Sequence, residues 1–207
     1  MTLLQLMMLG GSAYFAFKIY EHIQTLQDPK DAPRDSRDNN SHKRDTPELQ
    51  SNTFSSFSAE ELVQKADEAF GEGDAKKALS FLIEADVKAP HNVEILFKLG
   101  FISASAGDAM SAIGYYKRSL DIDKNDTVVQ NSLASVYRSQ KEFASAKMHL
   151  NDSLEIDDTN PITYYNYANL LCDMGNEDVA MDMYTKAIEL NPEFQEAKLE
   201  LQRLKAK

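Results

Sequence analysis

The sequence is poor in the residues that build disulfide scaffolds and metal sites. It has a single cysteine, Cys172, and no tryptophan among 207 residues. One cysteine cannot form a disulfide within the chain, and the histidines lack the close spacing of zinc ligands. The four are His22, His42, His91 and His149. We therefore expect no disulfide framework, no metal and no cofactor.

Positive charge is also scarce, since 22 Lys and Arg stand against 33 Asp and Glu, which gives a net charge of −11. A nucleic-acid partner is disfavoured, because phosphate binding needs clustered basic side chains. Catalytic motifs are missing as well. The glycine-containing stretch 71–77 lacks the spacing of a phosphate-binding loop, and Cys172 has no histidine at a helix-compatible distance. The sequence predicts that the protein is not an enzyme.

One long uncharged segment, residues 2–17, opens the chain and is followed by Lys18-Ile19-Tyr20. Sixteen helical residues rise about 24 Å, short of a hydrocarbon core of ~30 Å, so a span through residues 2–20 needs Lys18 to snorkel outward. We predict an N-terminal membrane-anchor helix within residues 1–27. Two alternatives stay open: a cleaved signal peptide, although no basic residue precedes the apolar stretch, and a terminal helix packed against protein.

The basic residues near this segment all follow it: Lys18, Lys30, Arg34, Arg37, Lys43 and Arg44. With one predicted span, the chain would be a single-pass membrane protein. The positive-inside rule then predicts that its remaining residues face the cytoplasm, with a periplasmic location as the alternative. Residues 28–52 contain few large apolar side chains and many Asp, Asn, Ser, Arg and Pro residues. Such a segment cannot bury enough surface to offset chain ordering, so we expect a disordered linker.

A capping box, Ser58-Ala59-Glu60-Glu61, predicts the first helix of a folded domain over 53–207, with Phe57 and Leu62 as its hydrophobic staple. From there a turn motif recurs every 34 residues without insertion. Small residues follow the same period in three columns, which predicts sites of close helix contact. The columns are Ala66, Gly100, Ala134 and Ala168; Ala78, Ala112, Ala146 and Ala180; and Ala85, Ser119, Ser153 and Ala187.

This pattern resembles the tetratricopeptide repeat (TPR) family, whose unit is a helix-turn-helix of 34 residues. The resemblance implies an all-α, right-handed solenoid of four repeats, 59–92, 93–126, 127–160 and 161–194. The turn residues agree independently: Gly73, Gly107 and Gly175 suit a left-handed conformation, Asp74, Asp108 and Asn176 can cap the next helix, and Asn160 precedes Pro161. An apolar stripe predicts a capping helix over 195–206, and it comprises Phe194, Ala197, Leu201 and Leu204.

In proteins of this family the first helix of each repeat lines a concave groove. Carried onto this sequence, Phe97, Phe101 and Tyr165 become apolar anchors for a partner peptide. The polar groove residues are Asn131, Ser135, Arg138 and Asn169, of which Asn131, Arg138 and Asn169 would form hydrogen bonds with it. The competing interpretation is that Phe97 and Phe101 pack against neighbouring repeats or the linker.

The carboxylate clamp of chaperone-tail-binding family members is absent, because its places are occupied by Val63, Asp67, Lys98, Val128 and Ser132. The predicted function is a membrane-tethered scaffold that binds a protein or peptide partner in its groove. Two alternatives stay open: a periplasm-facing assembly factor of the cytochrome c maturation type, and a self-associating structural scaffold.

Overall fold

The computed structural model describes residues 55–206, which form nine α-helices and no strand. The helices are α1 (Ala59–Gly71), α2 (Ala75–Lys88), α3 (Val93–Ser105), α4 (Ala109–Ile122), α5 (Thr127–Ser139), α6 (Phe143–Ile156), α7 (Pro161–Asp173), α8 (Glu177–Leu190) and α9 (Gln195–Lys205). The predicted anchor (1–27) and linker (28–52) lie outside the described residues. Within residues 55–206, no helix combines the length and the apolar character that crossing a membrane requires.

The helices form four consecutive hairpins. Their first helices begin at 59, 93, 127 and 161 and their second helices at 75, 109, 143 and 177, each a step of 34 residues. Each hairpin packs on the next, and α5 also contacts both α3 and α7. The first helices of the last three hairpins therefore lie side by side and form one face of the stack.

The small-residue columns confirm the repeat register, because every member is buried. A fourth buried column holds the larger side chains that fill each hairpin: Leu82, Tyr116, Leu150 and Tyr184. Alternating small and large residues at facing positions lets two helices approach closely without a void.

The turns mostly follow the sequence-based expectation. Gly73, Gly107 and Gly175 have φ of +84°, +82° and +80°, and Lys141 takes the same position in the third hairpin with φ +62°. Asp74 and Asp108 cap α2 and α4 by accepting main-chain hydrogen bonds from Lys77 and Ser111. Asn160 likewise caps α7 by accepting from the Ile162 amide.

The expectation for Asn176 is wrong, because its side chain makes no capping hydrogen bond. Two carboxylates in the first turn of α8, Glu177 and Asp178, supply negative charge at that helix end. They interact favourably with the helix dipole where a capping side chain would otherwise do so.

Both ends of the described stack are closed as predicted. At the start, Ser58 Oγ accepts from the Glu61 amide while Glu61 Oε2 accepts from the Ser58 amide, which completes the capping box. At the other end, α9 buries Ala197, Leu201 and Leu204 against the last hairpin.

Candidate functional site

A cavity of about 450 Å³ opens between the second and third hairpins, on the side of the first helices. Its wall comes from α3, α4, α5 and α7, and none of the residues is charged at neutral pH. They are Phe101, Ala104, Ser105, Gly107, Ala109, Tyr116, Asn131, Ser132, Ser135, Val136, Ser139, Gln140 and Asn166.

Short side chains on α5 create this space. At the sixth and ninth places of the repeat, the second hairpin has Lys98 and Phe101, whereas the third has Ser132 and Ser135. Replacing two long side chains by serine leaves the volume between α3 and α5 open.

Tyr116 closes the base of the cavity next to α3. A Cβ atom added to Gly100 would lie 2.6 Å from Tyr116 Cε1, so the ring occupies the space that a larger residue at position 100 would need. Phe97 rests on the Tyr116 ring with centroids 5.9 Å apart. Burial raises the pKa of Tyr116, so its hydroxyl keeps its proton at neutral pH.

Asn131 forms the polar floor of the cavity. Its Nδ2 donates to the Thr127 main-chain oxygen at 2.8 Å and to Ser153 Oγ and Thr163 Oγ1, both at 2.9 Å. Its Oδ1 accepts from Asn166 Nδ2 at 2.9 Å. Asn131 therefore joins α5, α6 and α7.

This buried position differs from the open one that the sequence predicts for Asn131. The residue is 5% exposed, and both polar atoms of its side chain already have partners. Hydrogen bonds to the hydroxyls of Ser153 and Thr163, which lie on the neighbouring helices α6 and α7, hold the Asn131 amide in the interior.

The two predicted phenylalanine anchors stack on each other with ring centroids 6.4 Å apart, but they differ in exposure. Phe101 is 47% exposed at the rim of the cavity, where its ring meets Phe70 edge-on at 5.8 Å. Phe97 is half-buried and packs against the cluster formed by the second and third hairpins. Phe101 thus occupies the groove position, and Phe97 mainly supports it.

The remaining predicted site residues divide in the same way. Ser135 lines the cavity. Arg138 is paired with Asp173 at 3.1 Å. Tyr165 packs on Phe194 with centroids 5.0 Å apart. Asn169 Oδ1 accepts a hydrogen bond of 2.6 Å from the Tyr184 hydroxyl. The structure therefore brings Phe101, Asn131 and Ser135 into one cavity and places Arg138, Tyr165 and Asn169 outside its lining.

Sequence reasoning missed several residues in and beside this cavity. Ser132 and Asn166 occupy the sixth place of their repeats, a place that the family comparison used only for the carboxylate clamp. Val128 and Ile162, both at the second place, are 55% and 52% exposed one turn before Ser132 and Asn166. Exposed apolar side chains at the same place of adjacent repeats are the signal that would have marked this surface.

The described part of the chain is acidic overall, and the basic residues of the first helices beside the cavity are paired. Residues 55–206 contain 26 Asp and Glu against 15 Lys and Arg. Lys98 on α3 is paired with Asp67 at 2.7 Å, and Arg138 on α5 with Asp173. In this part of the chain, no three His, Cys, Asp or Glu side chains converge as metal ligands would.

Known proteins share this architecture. Residues 162–194 match the family model for the tetratricopeptide repeat. No curated protein matches this chain. Among solved structures the described residues have the fold of tetratricopeptide-repeat proteins, as three examples show.

MamA from Desulfovibrio magneticus RS-1, from its residue 41 onward, superimposes with a TM-score of 0.62 at 18% identity, covering 72% of this chain and 84% of its own. YrrB, a TPR protein with an unusual peptide-binding site, gives 0.61 at 18% identity over 70% and 74%. The first TPR domain of Spaghetti (RPAP3), bound to the HSP90 peptide SRMEEVD, gives 0.53 at 24% identity over 55% and 93%.

Proposed function

We propose that this protein is a non-enzymatic scaffold that binds a segment of a partner protein in the groove formed by α3, α5 and α7. The observation that carries the proposal is the uncharged cavity with the half-exposed Phe101 ring at its rim. An exposed aromatic ring beside hydrogen-bonding groups is a typical anchor point for a peptide, because it supplies apolar area at low entropic cost.

The comparisons support binding of a peptide in general and leave its chemistry open. RPAP3 was solved with a bound peptide, and YrrB is described by its peptide-binding site. We infer that this chain lacks the carboxylate clamp, because at two of its places Asp67 and Lys98 neutralise each other. Its partner is then distinct from the tails that clamp-containing proteins bind.

We further propose that residues 2–20 anchor the scaffold in a membrane and that residues 28–52 act as a disordered linker. The uncharged N-terminal stretch and the basic residues that follow it support this arrangement, with the scaffold on the cytoplasmic side. A tethered groove holds its partner close to the membrane surface.

The groove is tested by truncating its anchor. The partner is recovered with the full-length chain from detergent extracts, identified by mass spectrometry and titrated against purified variants. Phe101→Ala should weaken binding about 30-fold, as expected for an anchor worth some 2 kcal/mol. Met148→Ala is the matched control, because Met148 is similarly exposed (52%) but lies on the second helix of its hairpin.

Equal affinities of Phe101→Ala and the unmodified protein would contradict the proposal. Thermal melts of both variants check that a loss of affinity is not caused by unfolding. We expect unchanged melting temperatures, because truncating a partly exposed ring leaves little cavity. Light scattering of the full-length protein in detergent tests the alternative function, self-association, which predicts oligomers in the absence of any partner.

A further inference from the structure

Three of the four serine hydroxyls that line the cavity have already used their hydrogen atoms, Ser135 being the exception. Ser105 Oγ donates to the Phe101 main-chain oxygen at 2.9 Å, Ser132 Oγ to that of Val128 at 2.8 Å, and Ser139 Oγ to that of Val136 at 2.7 Å. A hydroxyl has one hydrogen and two lone pairs, so each of these groups can offer only lone pairs to a ligand.

A chain of hydrogen bonds also fixes the orientation of the Asn166 amide, so that its oxygen is left as an acceptor. The Thr127 main-chain oxygen can only accept, so the Asn131 atom that meets it must be the amide nitrogen. Asn131 Oδ1 then faces Asn166, whose Nδ2 must donate to it. Asn166 Oδ1 forms no hydrogen bond within residues 55–206 and remains an available acceptor.

Positive charge is neutralised on the same three first helices. Lys98 and Arg138 are the basic residues of α3, α5 and α7, and each is paired with an aspartate. The cavity thus offers available acceptors, its wall carries no charge of either sign, and the described part of the chain as a whole has a negative net charge. Charge complementarity favours a ligand that is positive and rich in hydrogen-bond donors.

We propose that the occupant of this cavity is a lysine or arginine side chain from a basic segment of the partner protein. This inference rests on the proposed function. The charged head would donate to Asn166 Oδ1 and to the serine oxygens. The aliphatic stem would lie on the half-exposed Phe101 ring, whose face also attracts a cation. Val128 and Ile162 offer apolar contact to residues flanking it.

The test introduces a charge of either sign at Ser135. This residue lines the cavity and makes no hydrogen bond within the described part of the chain. Random 12-residue peptides displayed on phage are selected on the full-length chain. The selected peptides are then synthesised and titrated against Ser135→Lys and Ser135→Glu. These variants add side chains of similar length and opposite charge. Ser105→Lys and Ser105→Glu form a second pair at an exposed position on the cavity wall, should a change at Ser135 disturb folding.

We expect the selected peptides to share a Lys or Arg and to lose at least tenfold in affinity when it is replaced by norleucine. Ser135→Lys should weaken binding at least tenfold, whereas Ser135→Glu should bind as tightly as the unmodified protein or more tightly. Equal losses for Lys and Glu, or selected peptides without a cation, would overturn the basic occupant but leave a peptide-binding groove. Peptides indifferent to both variants, or failure to select any peptide, would overturn the proposed function as well.

Discussion

Gly100 and Tyr116 form a close contact that sets the shape of the second hairpin. At the matching places the first and third hairpins pair alanine with leucine, as in Ala66 with Leu82. The fourth combines Ala168 with Tyr184, whose hydroxyl hydrogen-bonds Asn169. Only the second places an aromatic ring within 2.6 Å of where a Cβ atom would lie. The glycine therefore allows the Tyr116 ring to form the base of the cavity.

We predict that Gly100→Ala destabilises the protein by about 1–2 kcal/mol, because the buried ring must shift to admit the methyl group. In a Tyr116→Leu background the same change should be neutral or stabilising by up to about 1 kcal/mol, since alanine is the better helix former. Denaturant unfolding of the four proteins measures the coupling. Additive effects would show that the two residues do not constrain each other.

His149 is a second residue whose environment has a measurable consequence. It is buried on the Tyr137 ring with centroids 5.5 Å apart, and its Nδ1 lies 2.7 Å from Gln130 Oε1. Burial lowers the pKa of His149 below its usual value, and the nearby Lys117 acts in the same direction while Asp152 opposes it. The folded state thus prefers the neutral imidazole.

The sign of the pH effect follows from linkage. Below the ordinary histidine pKa of about 6.5 the unfolded chain binds the proton more readily than the folded one, so stability falls as the pH decreases through that value. We predict that His149→Gln, which keeps an amide donor for Gln130, reduces the drop in melting temperature between pH 7.5 and 5.5. If the drop is the same in both proteins, the buried histidine is not its source.

At the scale of the elements, each hairpin needs a left-handed residue between its helices, and three of the four use glycine. Lys141 takes this conformation in the third hairpin, where a side chain makes it unfavourable by about 1–2 kcal/mol. The turn between α5 and α6 is therefore strained relative to its counterparts.

Lys141→Gly should raise the free energy of unfolding by up to about 1 kcal/mol, because the gain in the folded state exceeds the added freedom of the unfolded chain. The control, Lys147→Gly, removes a lysine from the exposed interior of α6 and should lower stability by about 1 kcal/mol. Changes of the same sign in urea unfolding of the two variants would argue against strain at position 141.

The helical elements were predictable because 34-residue spacing places small residues wherever two helices touch. The cavity was not, because its form depends on groups brought together from distant parts of the sequence. Asn131 illustrates the limit: its place in the repeat predicts a groove position, yet Ser153 and Thr163 turn its amide inward. The place of Asn166 in its repeat does not predict an available acceptor, because the orientation of its oxygen follows only from that network.

For the whole molecule, the proposed anchor means that membrane association of the scaffold depends on the N-terminal residues. We predict that the full-length chain sediments with membranes and resists carbonate extraction, whereas a chain lacking residues 1–27 remains in the supernatant. If both chains fractionate identically, residues 1–27 do not anchor the protein in a membrane. Thiol labelling of the Ser41→Cys, Cys172→Ala variant on intact cells tests on which side of the membrane the linker lies. If the linker is cytoplasmic, the introduced cysteine should be protected from a membrane-impermeant reagent.

The proposed function places the bound partner on the face made by α3, α5 and α7. Hydrogen–deuterium exchange of the full-length protein, alone and with its identified partner, tests it most directly. We expect slower exchange in these three helices, strongest around Phe101, Ser132 and Asn166, and little change in the second helices α4, α6 and α8. Protection confined to α4, α6 and α8, with α3, α5 and α7 unchanged, would contradict it.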